Sequence, residues 1–367
     1  MRDFVNSKAR PEIFNLKPYV PGKPIEEVKR ELGIEDIIKM ASNENPLGAS
    51  PLAVEAIKKS LDRLHYYPDS NNFYLKQKLA RVNDISEDAI IIGNGSDELL
   101  KLLAETFLSP GDEVIFGDPS FVEYEFTATI MGAKCINVPL KDFRHDLRAM
   151  LDEITDKTKI IYICNPNNPT GTYSTRAEIE EFMRKIPSDV LVVFDEAYFE
   201  YVDAKDYISG IDYVKEGRNA VVLRTFSKIY GLAGLRVGYG FTNPEIAKAV
   251  ERVTEPFNVN LLAQIAAEAA LDDIEHVKKS CRLNREGKNY LYSQFEEMGL
   301  KYVPTEANFI FVDTGRNSRE VFQKLLQLGV IVRTGDIFGF PSFIRVTIGT
   351  EEENKRFINA LKEVLGE

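Results

Sequence analysis

Between residues 89 and 241 the chain alternates short, mainly apolar runs with stretches in which apolar residues recur every three or four positions. The runs are Ala89–Ile92, Glu113–Phe116, Lys134–Val138, Lys159–Cys164, Val190–Phe194, Ala220–Leu223 and Val237–Phe241. Runs this short and apolar predict strands buried on both faces. Between the first two, Leu99, Leu103 and Phe107 share one face of a helix predicted over Asp97–Phe107. Strands alternating with helices predict an α/β domain on a mostly parallel sheet, seven-stranded if every run pairs. Ligands of such sheets bind at the strands' carboxyl ends.

The texture changes after about residue 261. A long helical pattern from Leu261 to about Met298 precedes short strand patterns at Phe309–Val312, Val330–Arg333 and Phe343–Ile348. Helical patterns at Ser318–Leu328 and Glu351–Leu365 lie between and after them, which predicts a smaller α+β domain. Near the N-terminus, Pro18 to Pro24 reads as a stiff extended arm leading into a helix, Ile25–Leu32, stopped by Gly33. The expected division is residues 1–35 as arm and part of the small domain, 36–260 as the large ligand-binding domain and 261–367 as the small C-terminal domain.

Composition narrows the function. Among 367 residues, 46 basic against 57 acidic side chains give a net charge of −11, which argues against nonspecific binding to nucleic acid or anionic membranes. A few local arginines can still build a pocket for a small anion. No apolar run is long enough to cross a bilayer, and the N-terminus shows no apolar signal core, so a cytoplasmic protein is expected. Cys135, Cys164 and Cys281 form no CxxC pair and read as reduced thiols. The three histidines lie far apart in no metal-ligand spacing, so no metal is expected.

Chemistry concentrates where predicted strands end. Ala220–Leu223 delivers Ser227 and Lys228, then a glycine-loosened loop ending at Arg236. Burial lowers a lysine's pKa and makes its amine a nucleophile toward carbonyls, whereas most lysines are solvated surface charges. Gly93-Asn94-Gly95-Ser96-Asp97 is a glycine turn into a helix start; it reads as a phosphate cradle, or as a turn with Ser96 as N-cap. A dinucleotide fold is a rival reading, with Gly93, Gly95 and acidic Asp118 25 residues beyond Gly93. Glu98, however, stands where that motif needs its third glycine. Phe121 is either core or a ring stacked on a planar ligand. Asn165-Pro166-Asn167-Asn168-Pro169-Thr170-Gly171 cannot continue a ladder and fixes side-chain amides at the sheet edge. Asp195, at the end of the apolar Leu191–Phe194, needs a cation: a neighbouring basic side chain, or a protonated heterocyclic nitrogen. Arg333 and Arg345, 12 residues apart on neighbouring strands, are isolated surface charges or a pair converging on an anion.

Taken in order, these segments resemble the fold-type-I pyridoxal-phosphate aminotransferases, and most closely the histidinol-phosphate aminotransferase family. The resemblance runs from Tyr19 and Asn43-Glu44-Asn45-Pro46-Leu47-Gly48, through NPNNPTG, Asp195-Glu196-Ala197-Tyr198 and Ser227-Lys228 with Arg236 eight residues on, to Arg345-Val346-Thr347-Ile348-Gly349-Thr350. It implies that Lys228 holds pyridoxal 5'-phosphate as an internal aldimine and that Asp195 pairs with the pyridinium nitrogen. Tyr198 and Asn168 would bond its phenolic oxygen, and Phe121 would stack on the ring where relatives often have tyrosine. Ser96, Asp97, Ser227 and Arg236 would hold the phosphate, with Tyr67 reaching it from the other subunit of a homodimer. Tyr19, Asn43, Asn168, Asn308, Arg333 and Arg345 would bind substrates. The implied reaction is ping-pong transamination between histidinol phosphate with 2-oxoglutarate and imidazole acetol phosphate with glutamate, a step of histidine biosynthesis.

Within the cofactor class, the alternatives are an aromatic amino-acid aminotransferase and a decarboxylase of a phosphorylated amino acid. Outside it stand a nicotinamide dehydrogenase and a non-catalytic binding module in which Lys228 is merely exposed.

Overall fold

The computed structural model describes residues 2–16 and 22–366. Its first strand, β1 (Ile38–Lys39), pairs in parallel with a strand far along the chain, β11 (Val330–Ile331). The predicted apolar runs become β2 (Ile90–Gly93), β3 (Glu113–Asp118), β4 (Lys134–Pro139), β5 (Thr158–Cys164), β6 (Leu191–Asp195), β7 (Ala220–Thr225) and β8 (Gly238–Phe241). They form one seven-stranded sheet in the order β2-β8-β7-β6-β5-β3-β4. Only β8 runs against its neighbours.

Period-two alternation explains why the runs are apolar throughout. Ile91, Val114, Tyr162, Val193 and Leu223 enter one core, with Leu99 and Leu103 of the helix Gly95–Phe107. Ile92, Ile115, Ile163, Val192 and Val222 face the other way, into a core shared with Phe182 and Ala266. Both faces of the central strands being covered, polar residues are confined mainly to the strand ends and to the edge strand β4, where Asn137 is exposed.

The C-terminal strands are β9 (Lys301–Val303), β10 (Phe309–Asp313), β12 (Arg333–Thr334) and β13 (Phe343–Thr347), an antiparallel sheet in the order β12-β13-β10-β9. Its core holds Phe295, Ile310, Val346, Phe357 and also Met40, which the β1–β11 pairing brings in from the N-terminal side. The helix Ile25–Leu32 ends as expected, with Gly33 in the left-handed region at φ 68°.

Two expected elements divide. The helix expected from Leu261 to about Met298 is two, Leu261–Ala270 and Ile274–Glu297. Asp273 breaks it by capping the second helix: its carboxylate accepts from the His276 amide, and Ser50 Oγ donates to it at 2.6 Å. The strand expected over Val330–Arg333 splits because its first half pairs with β1 and its second with β13.

Candidate active site

The parallel order of β2, β3, β5, β6 and β7 brings their carboxyl ends to one edge, where β8 begins. The polar segments that follow those strands therefore meet, although they are scattered over more than a hundred residues. A cavity of about 420 Å³ opens at this edge and is closed by residues of the C-terminal sheet.

Lys228 stands three residues beyond the end of β7 and is half-buried in this cavity. Its Nζ donates to the Ser42 carbonyl at 3.1 Å and lies 5.8 Å from the centre of the Tyr198 ring. Burial, and next the nearby Arg345 guanidinium, push the amine down to about 8. The surface-charge reading of Lys228 does not describe it.

Asp195 ends β6 and is 2% exposed. Its carboxylate accepts from the Tyr124 hydroxyl at 2.7 Å and from the Ala197 amide at 3.2 Å. Burial pushes its pKa up to about 6, against the pull of those two donors. The basic neighbour that was one possibility for Asp195 goes instead to Glu196, which accepts from Arg224 Nη2 at 2.8 Å and Nε at 3.0 Å. Among the described residues Asp195 has no ion pair. It is a buried carboxylate with neutral donors only, poised for a cation from outside the chain.

Beside it lies a cradle for an anion. The helix Gly95–Phe107 starts here, and its N-cap is Asn94; Ser96, expected as the capping residue in one reading, sits inside the first turn. Arg236 donates to Asp97 Oδ2 at 2.9 Å and reaches Ser227 Oγ at 3.5 Å. Gly95 has φ +77°, and a Cβ there would come within 2.8 Å of Arg236 Nη2. Arg236 itself has φ 55°, unusual for a non-glycine residue. Helix amides, the Ser96 and Ser227 hydroxyls and a guanidinium thus crowd one spot at the cavity wall.

The opposite wall carries the arginines. Arg333 and Arg345 are directly opposed across β12 and β13, so their side chains leave the same face of the sheet. Both line the cavity. Arg345 donates to Asn168 Oδ1 at 2.5 Å and to the Ala41 carbonyl at 2.7 Å. Asn43 donates to the Tyr198 hydroxyl at 3.0 Å. Asn308 stands behind Asn43 and bonds its carbonyl at 3.0 Å rather than lining the cavity. Phe121 forms part of the wall, edge-on to Tyr124 with ring centres 5.8 Å apart.

Two expected residues are elsewhere. Tyr67 is 81% exposed and stacks on Phe257, ring centres 4.7 Å apart, outside the cavity of its own chain. Tyr19 lies outside the described residues. Sequence reasoning missed Tyr124, an aromatic in the first turn of the helix Glu123–Ile130 with no pattern to set it apart. It also missed Ser42, because a backbone carbonyl leaves no signature in a side-chain pattern.

Residues 35–361 match the model of the family described as aminotransferase class I and II. The histidinol-phosphate aminotransferase of Moorella thermoacetica is 61% identical, over 98% of this chain and 93% of its own. Histidinol-phosphate aminotransferase 2 of Carboxydothermus hydrogenoformans is 53% identical, over 97% and 99%. Among solved structures, the histidinol-phosphate aminotransferase of Sinorhizobium meliloti in complex with pyridoxal-5'-phosphate superposes with a TM-score of 0.91 at 28% identity, over 98% of each chain.

Proposed function

The chain belongs to the class I and II aminotransferase family, and from that premise we propose a role for each wall of the cavity. It is a pyridoxal-phosphate-dependent aminotransferase that interconverts histidinol phosphate and 2-oxoglutarate with imidazole acetol phosphate and glutamate. The observation that carries the assignment of residues is the separation of charges around one cavity: a depressed amine, a buried carboxylate without a cation, an anion cradle and two opposed arginines.

The residues fit the cofactor on the structure's own terms. Asp195 lacks the cation that a buried carboxylate requires, and a pyridinium nitrogen supplies one. The cradle is open at Gly95, where any side chain would displace Arg236. Pyridoxal phosphate, when bound, supplies the electron sink that stabilises negative charge on the amine-bearing carbon. Ser96, Asp97, Ser227 and Arg236 would hold its phosphate, Asn168 and Tyr198 its phenolic oxygen, and Phe121 would cover the ring and exclude water.

The chain's residues then do the proton and charge work. Lys228 Nζ, neutral in an appreciable fraction near neutral pH, would take the proton from the amine-bearing carbon of the substrate and pass it on within the same half-reaction, to the aldehyde-derived carbon of the cofactor when bound. In the reverse half-reaction it delivers a proton to the substrate carbon. Asp195 keeps its negative charge beneath the site. Arg345, held by Asn168 and the Ala41 carbonyl, grips the substrate anion: the carboxylate of glutamate or the phosphate ester of histidinol phosphate. Arg333 adds a second positive charge suited to phosphate. The two substrates take turns in one cavity, which gives ping-pong kinetics.

A homodimer with shared sites is part of the proposal. Leu61, Leu64, Tyr66, Tyr67 and Tyr74 are each at least half exposed, an apolar surface that a second copy would cover while Tyr67 reaches the partner's phosphate cradle. We carry the division into a unit of 36–260 and a unit of 261–367 as part of the proposal, with two exchanges: residues 38–40 pack with the latter, and the helix Leu261–Ala270 packs into the core of the former. No described helix is long and apolar enough to cross a membrane, and we assign the enzyme to the cytoplasm. Product analysis tests the reaction: histidinol phosphate with 2-oxoglutarate should yield glutamate in equal amount. Carbon dioxide without keto product, or far faster turnover of phenylalanine or tyrosine, would refute it.

A further inference from the structure

Asp195 and Glu196 are adjacent carboxylates at the end of one strand, both almost fully buried, and they are treated in opposite ways. Glu196 receives a full guanidinium from Arg224, with Ser209 Oγ and the Gly210 amide as further donors. Asp195 receives a phenol and an amide, neither of which carries charge. Tyr124, on the helix Glu123–Ile130, is fully buried. Its ring lies flat on Tyr162, with centres 4.5 Å apart and planes 5° from parallel, and meets Phe121 edge-on. A ring clamped in this way cannot swing its hydroxyl off the carboxylate.

We propose that Tyr124 is a positioning residue that fixes Asp195 for the cofactor's ring nitrogen without neutralising it, an inference that rests on the reading of Asp195 given above. A hydrogen bond from a neutral donor holds one carboxylate oxygen in place and favours the ionised form. It leaves the net charge intact, so the attraction for a protonated ring is kept in a site of low dielectric. A lysine or arginine at position 124 would do for Asp195 what Arg224 does for Glu196, and would leave the ring nitrogen with a cancelled partner. Because Tyr124 also touches Phe121, the residue expected over the ring and the carboxylate expected at its nitrogen share one support.

The test is equilibrium binding to the apoenzyme, with two probes: pyridoxal phosphate and its analogue in which the ring nitrogen is replaced by C–H. Tyr124→Phe should weaken pyridoxal phosphate about tenfold, the effect of a lost hydrogen bond to a charged group. It should leave the analogue within about twofold, as for an uncoupled change. In an Asp195→Asn background, Tyr124→Phe should cost pyridoxal phosphate nothing further, and Tyr124→His, which retains a donor, should recover part of the loss. Equal weakening of both probes would mark a merely structural residue and overturn the inference. An Asp195→Asn protein that keeps the wild-type preference for pyridoxal phosphate over the analogue would overturn the reading of Asp195 itself. If Tyr124→Phe does not fold, Tyr124→Met carries the same test: a folded variant that binds pyridoxal phosphate about tenfold more weakly and the analogue within about twofold supports the proposal, and one that weakens both equally refutes it.

Discussion

Asp195→Asn should make the apoprotein more stable while making it a poorer host for its cofactor. Burial raises the Asp195 pKa from an ordinary 3.8 to about 6. That gap corresponds to about 3 kcal/mol spent on keeping the carboxylate ionised in place. The folded value lies above the unfolded one, so this cost is fully present above about pH 6 and vanishes below about pH 4. Asparagine keeps an acceptor for the Tyr124 hydroxyl or the Ala197 amide, now bonded to the carboxylate. It introduces an amide N–H with no acceptor in view, at about 1 kcal/mol. The net gain is about 2 kcal/mol at about pH 8, a rise of a few degrees in Tm. Calorimetry of the apoprotein at about pH 8 and about pH 5 measures it: the ionisation cost falls by roughly half at the lower pH, so the net advantage should shrink to roughly a third of its value at about pH 8. A variant no more stable than wild type at pH 8, or one whose advantage ignores pH, would refute the claim that Asp195 waits as an uncompensated charge.

Three further outcomes are expected. Gly95→Ala should weaken pyridoxal phosphate about ten- to a hundredfold in equilibrium dialysis, because its Cβ would displace Arg236; the positive φ adds about 1–2 kcal/mol of strain, read as a lower Tm. Arg345→Ala should impair both half-reactions in steady-state kinetics, since both substrates place an anion there, whereas Arg333→Ala should raise the KM for histidinol phosphate more than that for glutamate. Equal losses from Arg333→Ala would contradict that division of roles. Mixing Lys228→Ala with Tyr67→Phe protein should regain activity if Tyr67 serves the other subunit's site, and two inactive parents giving an inactive mixture would contradict it.

The sheet was legible because burial on both faces leaves its central strands few polar positions, and the site was legible because polarity returns where they end. Asp195 is conspicuous for that reason as the first polar residue after its apolar run, and Asn168 and Lys228 follow theirs within five residues. The Gly33 stop was equally plain, since only the left-handed region continues the chain there. What escaped depends on distant pairing or on identity without pattern. Ile38–Lys39 is too short to read as a strand until it meets Val330–Ile331. The short edge strand Lys301–Val303 has no alternation to mark it. Asp273 reads as one more polar residue in a helix until Ser50 arrives to bond it. Tyr124 is an ordinary aromatic of a helix, and only the sheet order brings its hydroxyl to Asp195. Glu196, one position from Asp195, shows that sequence alone does not say which of two carboxylates receives the arginine.

Everything proposed for the cavity depends on Lys228 being the residue that carries the cofactor. Purified protein with bound pyridoxal phosphate, reduced with borohydride, digested and mapped by mass spectrometry, tests this most directly. The label should fall on the peptide containing Lys228 and on that side chain alone. A label on any other lysine, or none despite bound cofactor, would contradict the account.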